Sequence, residues 1–218
     1  MKKGDFVKIG YVGRLETGEV FDLTDAEVAK KEGIHNSKII YGDLPVIVGA
    51  SFLIKGLDNA LLELNVGDKK EVQIKPEEGF GERDAKLVRT VPRKFFKEQK
   101  VEPRQGMIVD FGGTKGRIQS VDAGRIRVDF NNPLAGHTLK YEIEVKEKVE
   151  QPIDKIRALF EFFGVRDAEP KIEGGIVTVN VHMPAQLKER ISSLIVEHVS
   201  GIEKVNFVES YGKNINQV

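Results

Sequence analysis

The stretch SFLIKGLDNALLEL, residues 51–64, decides how the first part of the chain is interpreted. Leu57, Leu61 and Leu64 recur at helical spacing, so they predict the buried face of a helix that ends near Gly67. A glycine at position 56 interrupts the run at the point where this helix enters. The segment therefore raises the question of whether the helix entry is plain core or the floor of a binding site.

A β-hairpin is predicted ahead of this helix, over residues 5–23. Val7, Ile9 and Tyr11 alternate with polar or small residues, and Glu16-Thr17-Gly18-Glu19 is a turn signal. Thr24 follows with the spacing of a capping box to Glu27, which predicts a short inserted helix closed by Gly33.

Further strands are predicted on both sides of a segment of different character. KKEVQIKP, residues 69–76, and GHTLKYEIEV, residues 136–145, alternate apolar with polar residues and are expected to share one sheet. Between them, MIVDF, GRIQSV and GRIRVDF indicate a small inserted β domain at residues 85–130. The first domain is then discontinuous, made of residues 1–84 and 131–149.

The last part of the chain, residues 151–218, is predicted to be a separate α/β domain. Pro152 suits the first position of a helix whose apolar face continues through Phe163. A strand, a second amphipathic helix and a second strand follow. About two helices and two strands are expected here, and a homodimer through this domain is one possible role.

Composition excludes several classes of function. Lys and Arg total 34 and so do Asp and Glu, which argues against binding driven by bulk charge to nucleic acid or to a membrane. Basic residues interleave with phenylalanines between Arg89 and Arg104, but acidic residues dilute them, so a solvated face is the simpler interpretation. With no cysteine and no apolar stretch long enough to span a bilayer, a soluble cytoplasmic protein is expected.

The sequence also lacks the motifs of metal-dependent enzymes and of serine hydrolases. The four histidines, at positions 35, 137, 182 and 198, lie in separate segments without the spacing of metal ligands, so neither a metal nor another cofactor is expected. Ser51 lacks the sequence of a nucleophile elbow. Any activity must therefore come from a site without thiols, metals or strong acid–base pairs.

Four separated motifs together resemble the FKBP family of peptidyl-prolyl cis/trans isomerases. They are VKIGYVGRLETGEVFD, FLIKGLDNAL, VGDKKEVQIKPEEGFGERD and NNPLAGHTLKYEIEV, and they occur in the family's order. The insert at 85–130 resembles the insert-in-flap domain of the SlyD-like branch, and the extra helix and tail are similar to long archaeal members. The resemblance implies an α+β fold in which an antiparallel sheet surrounds a short helix.

The resemblance also implies which residues form the isomerase pocket. Leu57 stands where the family has a tryptophan floor, and Phe80 stands where it has a flap tyrosine. The backbone N–H of Ile54 would hold a substrate carbonyl, and Asp22 is expected to orient the Tyr11 hydroxyl. The implied site residues are Tyr11, Phe21, Asp22, Leu53, Ile54, Leu57, Phe80 and Tyr141.

The implied activity is isomerisation of X–Pro bonds in unfolded or partly folded polypeptides, with a chaperone role for the insert. The side chains expected to bind such polypeptides are Val91, Phe95, Phe96, Val101, Met107 and Ile108. Because a domain under fifty residues needs most of its apolar side chains for its own core, a purely structural role for these residues stays open. A non-catalytic holdase with a degenerate pocket, dimerising through its C-terminal domain, is the alternative function.

Overall fold

A computed structural model describes residues 1–122 and 124–209, so the last nine residues of the predicted C-terminal domain lie outside it. The described chain forms two compact units. One contains Met1–Gln73 and the described residues from Lys140 onward, and the other is Ile74–Leu139. None of the helices in this part of the chain is long and apolar enough to cross a membrane.

The elements follow one another in a mixed α+β order. The strands are β1 Phe6–Leu15, β2 Val20–Leu23, β3 Leu44–Ile47, β4 Lys69–Ile74, β5 Val88–Pro92, β6 Ile108–Asp110, β7 Lys115–Asp122, β8 Arg125–Asp129, β9 Leu139–Val149, β10 Lys171–Glu173, β11 Ile176–Asn180 and β12 Lys204–Val208. The α-helices are α1 Ala26–Lys31, α2 Lys55–Leu61, α3 Arg93–Glu98, α4 Pro152–Phe162 and α5 Ala185–His198.

The main sheet has the strand order β2-β1-β9-β4, and β3 also pairs with β1. Strand β1 is antiparallel to β2 at one end, where Gly13 faces Asp22, and antiparallel to β3 at the other, where Val7 faces Val46. The predicted hairpin is therefore present. The strand predicted from GHTLKYEIEV also returns to this sheet, between β1 and β4.

The inserted helix α1 is capped differently from the prediction. Asp25 is its N-cap, and one Asp25 carboxylate oxygen accepts hydrogen bonds from the N–H groups of Glu27 and Val28. Thr24 is not the cap, because its Oγ1 accepts the Tyr11 N–H at 2.9 Å and so extends the edge of β1. The capping box was the wrong assignment for this helix start.

Helix α2 is shorter than its apolar spacing predicted. It ends at Leu61, with Leu62 as C-cap, while Leu64 is buried after the helix has ended. Gly67 is not the C-cap, although it does have a left-handed φ of 88°. Its N–H instead donates to the carbonyl of Val145 at 2.8 Å, which ties the turn after α2 to strand β9.

The described part of the tail contains one more strand than predicted. Strands β10 and β11 are antiparallel, β11 and β12 are parallel, and α5 connects the parallel pair. The missed strand β10 has only three residues, which is too short for alternation to reveal. Homodimerisation through this part of the chain stays a prediction.

The core of the described tail includes residues of the main sheet. Phe6 and Ile47, from β1 and β3, belong to the same buried cluster as Ile156 and Phe160 of α4. Residues of β11 and α5 complete this cluster. Residues on both sides of the expected boundary near residue 150 lie in one compact unit, and the division into three domains stays a prediction.

The second unit is built on a four-stranded sheet with the order β5-β8-β7-β6. Helix α3, which was not predicted, contributes Phe96 to a core with residues from β6, β7 and β8. At the stem of the insert, the Asp84 N–H donates to Asn131 Oδ1 at 2.8 Å, and Asn131 Nδ2 donates to the Asp84 carbonyl at 3.0 Å. These two bonds bring the chain ends of the predicted insert, residues 85–130, together.

The shared core predicts that damage to helix α4 spreads into the main sheet. Phe160→Ala removes a fully buried ring, which should lower the free energy of unfolding by about 3–5 kcal/mol. Hydrogen exchange of the amides of Phe6–Ile9 should speed up in this variant. Val196→Ala in α5, where the side chain is 44% exposed, is the control and should change exchange very little. Unchanged protection of Phe6–Ile9 in Phe160→Ala would show that the tail is an independent domain.

Candidate functional site

Strands β1 and β2 bring a tyrosine and an aspartate of the predicted site together. The Tyr11 hydroxyl donates a hydrogen bond to Asp22 Oδ2 at 2.9 Å, as expected from the sequence. Tyr11 is partly buried, whereas Asp22 is exposed. The carboxylate therefore fixes the direction of the hydroxyl at the edge of the site.

Aromatic rings surround this hydrogen bond. The ring of Tyr141, from β9, lies 5.8 Å from the ring of Tyr11 and 5.6 Å from the ring of Phe21, centroid to centroid. The Phe21 and Tyr141 rings meet edge to face, at 85°, which is a favourable arrangement for two aromatic rings. Four of the predicted site residues thus form one contiguous wall.

Gly13 is a residue of this wall that the sequence analysis did not single out. A Cβ added at Gly13 would lie 2.8 Å from Phe21 Cζ and 2.9 Å from Tyr141 Cε1, closer than real Cβ contacts come. The absence of a side chain is what lets both rings lie against β1. A glycine inside a strand pattern is the signal that could have pointed to it.

Both tyrosines of the wall favour their neutral form. Burial raises the pKa of the Tyr11 hydroxyl well above its ordinary value of 10.0, and the charge of Asp22 and its hydrogen bond raise it further. Burial, followed by the charge of Asp22, raises the pKa of Tyr141 in the same direction. Tyr11 therefore remains a hydrogen-bond donor across the physiological pH range.

The entry of helix α2 is formed by extended backbone at Ile54. Ile54 is the N-cap, with extended backbone at φ −61° and ψ 149°, and its carbonyl accepts the N–H groups of Leu57 and Asp58. Its own N–H has no acceptor within the described residues. Leu57 is 2% exposed, while Leu53 and Ile54 are partly exposed. This backbone donor is thus available beside apolar side chains.

Asp58 positions this entry, although the sequence analysis did not identify it. Its carboxylate accepts the N–H of Gly49 at 3.0 Å and the N–H of Ser51 at 3.3 Å. Ser51 has a φ of 59°, a conformation that costs a non-glycine residue about 1 kcal/mol or more. The two hydrogen bonds to Asp58 stabilise the strained turn that leads into Leu53 and Ile54. An aspartate in the first turn of a helix is the available sequence signal.

Phe80 belongs to the second unit, Ile74–Leu139, whereas the other seven predicted site residues belong to the first. It follows a short 3₁₀ helix at Pro76–Glu78, and its ring is partly buried. Its role in the site stays a prediction from the family resemblance.

A cavity of about 680 Å³ opens elsewhere in the first unit. Of the predicted site residues only Tyr11 lines it, together with charged residues of β4 and β9 and residues of the inserted segment around α1. Glu144 and Lys146 in its wall are joined at 2.7 Å. No group of three or more Asp, Glu or His side chains in the described chain could hold a metal ion.

The side chains predicted to bind polypeptides in the insert differ widely in exposure. Phe96 is fully buried, with its ring packed edge to face on Phe95 and Phe111, so it is a core residue. Val91, Phe95 and Val101 are partly buried against the same core. Met107 and Ile108 are 38% and 55% exposed and can contact a ligand directly.

One family model matches within the insert. Its description is FKBP26, IF domain, and it covers residues 89–134. The match overlaps β5 to β8, the elements that make up the small sheet of the second unit.

Three curated proteins illustrate the similarity of the chain to known enzymes. The short-type peptidyl-prolyl cis-trans isomerase of Methanocaldococcus jannaschii is 37% identical over 147 residues, which are 67% of this chain and 93% of that protein. The SlyD isomerase of Helicobacter pylori is 34% identical, covering 60% of this chain and 74% of that protein. The FKBP-type 16 kDa isomerase of Escherichia coli is 36% identical, covering 46% and 70%.

A match over nearly the whole length of the Methanocaldococcus jannaschii protein leaves no doubt about the family. The chain belongs to the FKBP-type peptidyl-prolyl cis-trans isomerases and is an enzyme of that class.

Proposed function

We propose that the chain isomerises X–Pro bonds of unfolded polypeptides at the aromatic wall of Tyr11, Phe21, Asp22 and Tyr141, together with the α2 entry at Leu53, Ile54 and Leu57. The observation that supports this site most directly is the free N–H of Ile54 beside apolar side chains. The insert acts as a chaperone by holding the polypeptide, and the protein works in the cytoplasm.

The reaction requires only a twist of the amide bond. Rotation faces a barrier of about 18–20 kcal/mol, because conjugation between nitrogen and carbonyl is lost on the way. The planar amide is more dipolar than the twisted one, so transfer into an apolar site disfavours the planar ground state. Leu57, Phe21 and Tyr141 can supply such surroundings without any proton transfer.

The polar groups of the site have a different task. The Ile54 N–H can hold the carbonyl of the residue before proline, so that rotation occurs about a fixed axis. The Tyr11 hydroxyl already donates a hydrogen bond to Asp22, which leaves its oxygen as an acceptor with a fixed direction. These groups orient the peptide, while the rings exclude water.

A combined variant tests the site. Tyr11→Ala, Phe21→Ala and Asp22→Ala in one chain should lower kcat/KM for an X–Pro tetrapeptide by about 100-fold, because two rings and the fixed hydroxyl are lost. Circular dichroism would establish that the variant is folded. Tyr41→Ala removes a tyrosine of the same unit outside the site and should leave kcat/KM unchanged. Full activity of the folded triple variant would refute the site.

Raised tyrosine pKa values predict a specific loss of stability at high pH. In the unfolded chain a tyrosine loses its proton near pH 10, whereas Tyr11 and Tyr141 keep theirs in the folded state. Their stabilising effect is therefore complete below pH 10 and falls above it, by up to about 1.4 kcal/mol per pH unit for each tyrosine. Urea denaturation of the wild type and of Tyr11→Phe/Tyr141→Phe at several pH values would measure this, and equal slopes above pH 10 would contradict it.

The chaperone role is tested at the two exposed apolar residues of the insert. Met107→Ser with Ile108→Ser should leave tetrapeptide isomerisation unchanged but slow the catalysed refolding of a proline-limited protein by about tenfold, because tethering raises the effective concentration of the chain. Val66→Ser is the control, since Val66 is 51% exposed in the first unit. Equal losses with both substrates would indicate a general defect, and no loss with either would contradict a holding role for these residues.

A further inference from the structure

One face of the insert's sheet carries side chains that are exposed in the described part of the chain. Strand alternation and register place Ile126 and Val128 of β8 toward the Phe96 core and Arg125 and Arg127 toward the other side. Arg117 of β7 lies on the same outer side, because it pairs with Asp129 and with Ile108. Arg117, Arg125, Arg127 and Ile108 are all exposed, and we refer to these four residues as the arginine face.

The insert is strongly basic within a neutral chain. Residues 85–130 contain eleven Lys and Arg but only five Asp and Glu, whereas the whole chain contains 34 of each. The net charge of the whole chain is therefore near zero although its charges are unevenly distributed. The excess of positive charge lies in the insert. Such an asymmetry is a property of binding surfaces more than of folds.

The arginines of this face are not used for internal ion pairs. Within the described residues, Arg117, Arg125 and Arg127 form no salt bridge, whereas Arg93 and Lys94 of α3 pair with Glu102 and Glu98. Three neighbouring guanidinium groups thus remain open to solvent. Each can hold a carboxylate with two parallel hydrogen bonds.

Acidic residues on the same face are already engaged. Asp129 accepts hydrogen bonds from Arg83, Gln119 and Asn131. Asp122 accepts the Ser120 hydroxyl, and Asp110 accepts the Gly113 N–H, where it faces Lys115 across the sheet. The register places Asp129 opposite Arg117 and Asp122 opposite Arg125, so these carboxylates lower the positive potential of the face. With Lys115 the face has four cationic side chains against three carboxylates, and a positive excess remains.

The composition of the face favours a polypeptide over single-stranded nucleic acid. Nucleic-acid grooves of this kind combine basic residues with exposed aromatic rings on which bases stack. Among the described residues the four phenylalanines of the insert, Phe95, Phe96, Phe111 and Phe130, pack against the core on the other side of the sheet. The apolar contribution of the face is aliphatic, from Ile108, with Thr90 and Pro92 on the neighbouring strand.

We propose that the arginine face binds acidic segments of client polypeptides, with carboxylates on the guanidinium groups and an adjacent apolar residue on Ile108. This inference rests on the proposed holding role of the insert and specifies its clients. They are chains whose Asp and Glu residues lie close to aliphatic side chains. The face thereby adds selectivity by charge to the weak apolar contact at Met107 and Ile108.

Direct binding to the full chain tests the proposal. The probe is a fluorescent, proline-free peptide of alternating Glu and Leu, compared with the same peptide carrying Gln or Lys in place of Glu. The Glu peptide should bind best, and Arg117→Gln/Arg125→Gln/Arg127→Gln should raise its Kd at least about fivefold, with little effect on the Gln peptide. Raising the salt from about 0.02 M to about 0.5 M should weaken only the Glu peptide, since the screening length falls several-fold.

A charge-matched variant separates the face from net charge. Lys94→Gln/Lys97→Gln/Lys100→Gln removes three positive charges from α3 and the turn after it, and should change the Kd of the Glu peptide less than twofold. Equal weakening by both triple variants, equal affinity for the Glu and Lys peptides, or tighter binding of an oligothymidylate than of the Glu peptide would each overturn the proposal.

The serine and arginine variants also show whether the arginine face or the holding role of the insert is wrong. If Met107→Ser/Ile108→Ser leaves refolding catalysis intact while the arginine variant loses the Glu peptide, the holding role fails and the arginine face stands. If the arginine variant binds the Glu peptide normally while the serine variant slows refolding catalysis, the arginine face fails and the holding role stands.

Discussion

The first unit depends on the pairing of strand β1, which is held along its length by two different strands. Its first half pairs with β3 and its second half with β2, while β9 lies along its other edge. Alternation along β1 directs Phe6 into the core shared with the tail and Tyr11, five residues later, toward the site. A slip of one residue would exchange these faces, so the register of β1 fixes the site and the shared core together.

The site combines this rigid strand with a strained turn. Gly13 lets the rings of Phe21 and Tyr141 approach β1, so the wall is set by the absence of a side chain. On the helix side, the left-handed Ser51 is stabilised by the Asp58 carboxylate, which faces the backbone between Gly49 and Ser51. Ile54 follows this turn as the N-cap of α2, so its N–H lies outside the regular pairing of the helix. In the proposed mechanism, this donor can bind a substrate carbonyl without first breaking an internal hydrogen bond.

Alternation in the sequence was enough to predict most strands, whereas the residues of the aromatic wall were grouped by the family resemblance. It could not choose between Thr24 and Asp25 as the cap of α1, because both side chains can accept backbone N–H groups and the edge of β1 uses Thr24. Helix α3 was not predicted because four of its six residues are charged. Its Phe96 is nevertheless fully buried.

The shared core was beyond prediction for a different reason. A pattern of apolar residues shows that Phe6 and Ile47 are buried, but it does not show what covers them. Here the cover is a helix more than a hundred residues later in the chain. Asp58 accepts backbone N–H groups, and Gly13 lets two rings approach the backbone of β1. Such roles depend on the path of the backbone, which a single sequence does not give.

The size of the insert limits how it can recognise a polypeptide. A domain of fewer than fifty residues needs nearly all its large apolar side chains to form its own core. In the insert, four phenylalanines pack together in or against that core. Among the described residues of the insert, the large apolar side chains classed as exposed are one methionine and one isoleucine, which is little apolar surface with which to distinguish one unfolded chain from another. Charged residues on the face of the sheet away from the core do not remove side chains from that core. Their guanidinium groups stay solvated until a ligand binds. In so small a domain, selectivity is more readily built from the arginines than from the core.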